Sequence, residues 1–380
     1  MSQTESNVPN TSQPQIHSQA QPQDLAKLRQ QIDAIDADIQ TLINRRARLA
    51  IDVAHIKKQH DESPIFYRPE REAQVLSHVM ARNTGPLPAD KMARLFREIM
   101  SACLDLEAPQ KIAYLGPAGT FTHAAALKHF GKAATTMPLA TIGDVFREVE
   151  SGAAMYGVVP VENSSEGVVN HTLDGFLTSE LHIIGEVELP IHHQFLVAEH
   201  TKVAGLSKIY AHQQALAQCR QWLDTHYPNV ERVALSSNGE AARRLKSEWH
   251  SAAIAGEVAA SEYGLHKLYE NIEDNPANTT RFLIIGRERV APSGQDKTSI
   301  LVSAKDQAGA LIQILQPLAK HGVSMTSIET RPERPNKWAY VFFIDMLGHS
   351  EDAALQAALD EIRPNVKDLR VLGSYPKAVL

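Results

Sequence analysis

Residues 111–131 read KIAYLGPAGTFTHAAALKHFG, and their reading decides the fold. The apolar run from Lys111 to Leu115 meets a turn with two glycines, Gly116 and Gly119, and passes into a helical pattern. Strand, turn and helix in that order form the unit of an α/β domain. The same alternation continues through ATTMPLA, IGDVFREVESG, AMYGVVPVENS, HIIGEVELPIHHQFLVA, SKIYAHQQALAQCRQWL, VERVALSS and TTRFLIIG. Thr141-Ile-Gly-Asp144 and Ser237-Asn-Gly-Glu240 have capping-box form, so helices are expected to start there. So many units in about 180 residues fit one domain or two lobes sharing a cleft.

Upstream the texture is all-α. No Gly or Pro occurs between Asp24 and Ser63, and apolar residues fall at Leu25, Leu28, Ile32, Ile35, Ile39, Leu42, Leu49, Val53 and Ile56. The steps alternate three and four, predicting one long helix of ~50 Å with a heptad-like stripe. Further helices are expected over Pro69–Arg82, with Pro in the first turn, and over Pro88–Glu107. Residues 1–23 are rich in Gln, Ser, Thr, Asn and Pro, lack the charged and apolar regions of a signal peptide, and are expected to be a disordered tail. Downstream, RERVAPSGQDK reads as a linker before a βαββαβ order, the ferredoxin-like arrangement. The expected organisation is thus a tail at 1–23, a helical head at 24–108, an α/β block at 109–287, a linker at 288–297 and an α+β domain at 298–380.

Composition narrows the function. Of 380 residues, 43% are hydrophobic and 22% charged, an ordinary globular balance, and the length suggests two or three domains. A net charge of −6 argues against a nucleic-acid-binding surface but not against local basic pockets. The two cysteines, Cys103 and Cys219, imply no disulfide framework and fit a reducing compartment. No apolar run approaches the ~20 residues that span a bilayer, so no membrane is expected and a cytoplasmic protein is.

Arg46 occupies one seat of the head's apolar stripe. A cation in a core-facing seat is costly unless it is paired or binds an anion. Taken alone, Arg46 fits a structural salt bridge, a snorkelling side chain or an anion site. Lys57 lies eleven residues on, ~16 Å along the axis and about 20° off the same face, so the two could reach one dianion. Arg29 lies seventeen residues before Arg46, ~25 Å away and off that face. It could join the same site only from a second copy packed antiparallel, which points to a homodimer with shared sites.

LRQQIDAIDADIQTLINRRARLAIDVAHIKK with FYRPERE resembles the all-α, dimeric chorismate mutase family over about residues 24–107. The resemblance implies that Arg46 and the partner's Arg29 hold the two carboxylates of chorismate through charge-assisted hydrogen bonds. It implies that Lys57 donates to the ether oxygen that becomes partly negative as its C–O bond breaks, that Glu72 binds the ring hydroxyl, and that Glu107 stands beside the same oxygen. Arg68 and Cys103 stand where the best-known members carry Asp and a small hydroxyl residue. They are expected to act through main-chain groups, Cys103 otherwise reading as a core thiol. The implied reaction is a unimolecular rearrangement to prephenate, speeded by holding a reactive conformer and stabilising charge. A carboxylate would repel the ether oxygen, so Glu107 is expected to work protonated.

In the α/β block YLGPAGTFT is neither GxGxxG nor a Walker loop, so no nucleotide follows. Its backbone N–H groups could meet an anion or simply connect two elements. In order, YLGPAGTFTHAAA, VVPVENSSEGVV, AHQQALAQCRQWL, NPANTTRFLIIG and ETRP resemble prephenate dehydratase, over roughly 111–287. The implied fold has two α/β lobes like the bilobal periplasmic binding proteins, with the site in the cleft. The implied reaction expels a ring hydroxyl and carbon dioxide together, giving phenylpyruvate. Thr280 would donate or relay the proton to the departing hydroxyl, helped by a cation or helix dipole. Arg281 is a candidate for that cation or for binding a carboxylate, and Asn163, Ser164 and Ser165 for lining the cleft, with turn or cap roles as the alternative for the serines. His192 and His193 are adjacent, and His123 and His129 lack the spacing of a helical metal pair, so no metal or cofactor is expected.

The C-terminal order resembles an ACT domain, a module that commonly binds amino acids. The resemblance implies that Gly309, Ala310 and Leu311, with Glu329 and Arg331, bind phenylalanine as an end-product inhibitor. Support of dimerisation alone is the alternative for this domain. The whole then reads as a bifunctional enzyme of phenylalanine biosynthesis. Two other readings are a non-catalytic amino-acid sensor with a dimerising head, against which Arg46 counts because a plain stripe would carry Leu there, and a dehydratase with a degenerate mutase head.

Overall fold

The computed structural model describes residues 22–61, 64–332 and 340–379. The polar tail up to residue 21 lies outside the described residues, and so do residues 333–339, where the βαββαβ order places the turn between its second and third strands. The head is three helices, α1 (Pro22–His60), α2 (Pro69–Ala81) and α3 (Ala89–Glu107). Pro69 opens α2, where a missing N–H costs no hydrogen bond. The packed face of α1 is Arg46, Ala47, Ala50, Ile51, Ala54 and Lys57, all half-buried or buried. The apolar stripe from Leu25 to Ile56 lies beside that face and is 46–61% exposed. The expectation that Arg46 occupies a seat of this stripe is therefore corrected. Arg46 and Lys57 stand on the packed face, bordering the stripe.

The α/β block begins with β1 (Lys111–Leu115), α4 (Phe121–Phe130), β2 (Thr135–Leu139), α5 (Ile142–Glu150), β3 (Tyr156–Asn163), β4 (Gly167–Val168), α6 (Asn170–Thr178) and β5 (His182–Pro190). The chain then crosses to β6 (Gln194–Val197), β7 (Lys208–His212), α7 (Gln213–Gln218), α8 (Arg220–His226), β8 (Glu231–Leu235), α9 (Asn238–Arg244), β9 (Ser251–Ala255), α10 (Glu257–Tyr263) and β10 (His266–Tyr269). It returns as β11 (Thr279–Gly286). The first sheet has the order β2-β1-β3-β11-β5 with β4 on β3, and the second β10-β6-β9-β7-β8, giving two lobes joined by two crossovers. Thr141 and Asp144 form both halves of a capping box at α5. At α9 only Ser237 caps, because Glu240 turns to Arg243 at 2.8 Å.

The tail comprises β12 (Asp296–Ser303), α11 (Ala310–Lys320), β13 (Met325–Pro332), β14 (Tyr340–Leu347), α12 (Ala353–Ile362) and β15 (Asp368–Pro376), with sheet order β13-β14-β12-β15. β12 begins inside the expected linker. Successive strand residues face opposite ways. Ile300, Val302, Ile344 and Met346 pack with Ile314 of α11 and Leu355 of α12, while Leu301, Phe343, Leu372 and Tyr375 share a core with Val145, Phe176 and Leu283 of the first lobe. β15 lies so close to β5 that a Cβ on Gly373 would sit 2.0 Å from the Ile183 carbonyl oxygen.

The head docks through Tyr67, which is buried against Phe130 and Tyr156 and shares a hydrogen bond of 2.7 Å between its hydroxyl and Nε2 of His129. Burial, reinforced by Arg97, pushes His129 down to about 3 from 6.5. The folded ring therefore stays neutral where the unfolded chain binds a proton. Stability is expected to fall as pH drops through that window, by up to about 1.4 kcal/mol per pH unit. Urea unfolding of wild type and His129→Gln, which cannot titrate, checks this. The variant should show the flatter pH dependence.

Candidate active sites

In the head, α1 and α3 pack together and bring Arg46, Lys57 and Glu107 into one electrostatic neighbourhood. Partial burial raises the Glu107 carboxyl, while Lys57 and Arg46 pull it down. Lys57 Nζ donates to the carbonyls of Ile65 and Phe66, at 3.0 and 3.5 Å, and lies over the Phe66 ring. Those contacts aim the ammonium along the loop that leads into α2. Cys103 is buried one turn before Glu107 on α3. Arg29 is exposed, in the half of α1 that no other element among the described residues covers.

Two expected members of this set are placed differently. Glu72 is half-buried against Arg97, at 3.2 Å, and lines a crevice with Tyr67, His129 and Glu186 where the head meets the first lobe. Burial raises its carboxyl above the usual range, against the pull of Arg97. Arg68 is half-exposed and spends its guanidinium on Glu70 at 2.6 Å. The reason is the same for both: a charged group half or wholly removed from water takes the nearest opposite charge.

In the α/β block, Thr280 is the second residue of β11, at the second crossover, and pairs in register with Asn163 at the end of β3. Both are at most 8% exposed. Asn163 Oδ1 accepts from the backbone N–H groups of Ser165 and Glu166, at 3.0 and 3.1 Å. Backbone amides can only donate, so they settle which end of the Asn163 amide is oxygen. Its Nδ2 therefore faces Asn278 Oδ1 at 2.9 Å and donates to Thr280 Oγ1 at 2.7 Å. The Thr280 oxygen is an acceptor in this arrangement, and its own proton is left to point elsewhere. Ser164 Oγ accepts from the Thr279 N–H at 3.0 Å and donates to Asn278 Oδ1 at 3.3 Å.

Asn278 was not singled out from the sequence. It is 2% exposed, takes hydrogen bonds from Asn163, Ser164 and Ser165 on one oxygen, and leaves its Nδ2 without a hydrogen-bond partner. Its signal was the two-residue step to Thr280, which in extended chain puts both side chains on one side. Gly119, at φ +80°, packs on Ala259 of the second lobe, and Tyr263 donates to the Ala118 carbonyl at 2.9 Å. The glycine-rich turn thus touches the opposite lobe.

Arg281 does not reach Thr280's side. Alternation turns it to the other face of β11, where it binds Glu186, Asp345 and the Tyr375 hydroxyl at 2.9, 2.6 and 3.0 Å. This corrects both roles expected of it. The residues expected to hold an effector are also divided within one chain. Gly309, Ala310 and Leu311 form the start of α11. Glu329 and Arg331 pair with Phe343 and Val341 on the sheet face turned to the first lobe, and Arg331 is bidentate to Asp174 of α6, both at 2.9 Å. His192 and His193 do point apart, to Glu273 and to Gln218, at 2.7 and 2.8 Å.

Comparison with known proteins covers all three parts. The sequence matches chorismate mutase type II over residues 28–108, prephenate dehydratase over 112–290 and the ACT domain over 298–364. It is 59% identical to a bifunctional chorismate mutase/prephenate dehydratase of Pseudomonas aeruginosa, over 94% of this chain and 98% of that one. It is 49% identical to the protein of the same description from Neisseria gonorrhoeae, over 93% and 97%. Among solved structures, a prephenate dehydratase of Arthrobacter aurescens in complex with L-Phe matches with a TM-score of 0.65 and 37% identity, over 70% of this chain and 89% of that one.

Proposed function

The chain belongs to the bifunctional chorismate mutase/prephenate dehydratases, and from that premise we propose which of its residues carry each reaction. It is a chorismate mutase and a prephenate dehydratase with an ACT regulatory domain. The hydrogen bond from Asn163 to Thr280 carries the reading of the dehydratase site. Because the Thr280 oxygen accepts from Asn163, its O–H is free to donate to the departing hydroxyl of prephenate. The same donated bond polarises the hydroxyl and stabilises the oxygen as its proton leaves. Asn278 offers a buried, unspent N–H to the substrate's polar groups.

For the mutase, Arg46 holds a carboxylate of chorismate and Lys57 the ether oxygen, with a protonated Glu107 donating to that oxygen. A second copy covers the exposed stripe of α1 and brings its Arg29 to the other carboxylate, so the working unit is a homodimer with shared mutase sites. Both cysteines are free and buried, which suits a cytoplasmic setting. Phenylalanine acts at the ACT domain as a feedback inhibitor, a reading supported by the relative that binds L-Phe.

Feeding chorismate and following prephenate and phenylpyruvate, with and without phenylalanine, tests this. Both products are expected, with phenylalanine slowing the second. Ile32→Glu, in the stripe, is expected to weaken dimerisation and mutase activity together while prephenate supplied directly is still dehydrated. A monomeric variant with full mutase activity would sink the shared site.

A further inference from the structure

β3 and β11 carry the catalytic pair on one face and a charged pair on the other. Thr280 pairs with Asn163, and the next residues, Arg281 and Glu162, pair with each other. The face bearing Arg281 and Glu162 is covered by the tail's sheet. Of the three guanidinium nitrogens of Arg281, one binds Glu186 of its own lobe and two bind Asp345 and Tyr375 of the tail. Those tail groups are themselves tied, since Ser299 Oγ donates to Asp345 at 2.5 Å and lies 2.8 Å from the Tyr375 hydroxyl. Glu186 also holds Lys297 of β12 at 2.8 Å. With its side chain 14% exposed, Arg281 is a rigid fork whose geometry is set by its partners. Glu162 shares a crevice with Glu329 of the tail, so that face also responds to where β13 sits.

We infer that Arg281 is a positioning residue for the dehydratase: through Asp345 and Tyr375 the docked tail fixes the start of β11, and with it the Asn163–Thr280 hydrogen bond. The tail is then a structural part of the catalytic support as well as the regulatory domain. A tail rearrangement that released Asp345 or Tyr375 would free the strand end that carries Thr280. This rests on Thr280 as the proton donor.

The test compares Arg281→Lys, Asp345→Asn and Tyr375→Phe in the full-length protein, with Thr280→Val alongside. Each of the three should lose dehydratase kcat by about 10–100-fold with little change in KM, because a small misplacement of a catalytic group acts on the chemical step. Mutase activity should stay at wild type, which also reports that the chain is folded. Combining Arg281→Lys with Asp345→Asn should cost no more than either alone, since both break one link. Tyr375→Phe removes a single hydroxyl and decides the matter if the charge variants fail to fold. Wild-type dehydratase kcat in all folded variants, with Thr280→Val inactive, overturns the inference and spares the reading of Thr280. An active Thr280→Val sinks the reading beneath it. Loss of kcat that merely tracks loss of thermal stability, with mutase falling in parallel, also overturns it.

Discussion

Asn163→Asp is expected to lower the dehydratase kcat by about 10²–10⁴-fold, the usual worth of a positioned proton donor, with the mutase rate unchanged. The substitution changes one NH2 to an oxygen and nothing in volume. The backbone N–H groups of Ser165 and Glu166 can still hold one oxygen of the new carboxylate. The other oxygen then faces Thr280 Oγ1, where a donor stood at 2.7 Å. A carboxylate accepts, so the Thr280 proton turns inward to it and is lost to the substrate. Thr280→Val should cost as much, and Thr280→Ser should retain much of the rate because it keeps the hydroxyl. Single-turnover dehydration of prephenate measures the step directly. If Asn163→Asp stays within a few-fold of wild type, the direction of that hydrogen bond is irrelevant and Thr280 is not the donor.

The mutase should lose about 10²–10³-fold in kcat in Lys57→Ala, the cost of removing one donor to a developing oxyanion, while dehydration of supplied prephenate continues. The accompanying pH profile is the sharper measurement. Burial raises Glu107 above the ordinary carboxylate value, against the pull of Lys57 and Arg46. Its protonated form is the one that can donate to the ether oxygen, so mutase activity should fall as pH rises through that raised value. Glu107→Gln, an amide that always has a donor, should remove this fall and stay active at high pH. An activity that climbs with pH in wild type, or a Gln variant that is dead throughout, would show that the carboxylate has another role.

Much of this was legible without coordinates. α2 and α3 start and stop within one residue of their expected bounds, because Pro69 and Pro88 act locally along the chain, while α1 begins two residues before the Gly- and Pro-free run and ends three short of Ser63. Thr280 stood out as a candidate from its place in an ordered set of motifs, and in the fold it meets Asn163. Arg281 and Glu72 were not legible in the same way. Their types fitted a substrate site, but each found an opposite charge from a distant segment, Asp345 and Arg97. The stripe of α1 was legible as a pattern, but its exposure in the single chain and the place of Arg46 beside it were not, since periodicity says which residues share a face and nothing about what covers it.

The sequence by itself determined the domain order and the helices and strands, and its ordered motifs, by their resemblance to known families, gave the two reactions and Thr280 as a candidate. Spacing and motif order lie along the chain, which a linear sequence records completely. Only the tertiary structure decided which way the Asn163 amide points, that Asn278 stands behind it, and that Arg281 belongs to the tail. The first is set by backbone N–H groups only two and three residues on, which no side-chain pattern records, and the other two by partners 115 and 64 residues away. Chain folding brings such pairs within 3 Å, and the hydrogen-bond geometry then fixes donor and acceptor, so their roles follow from contact and not from composition.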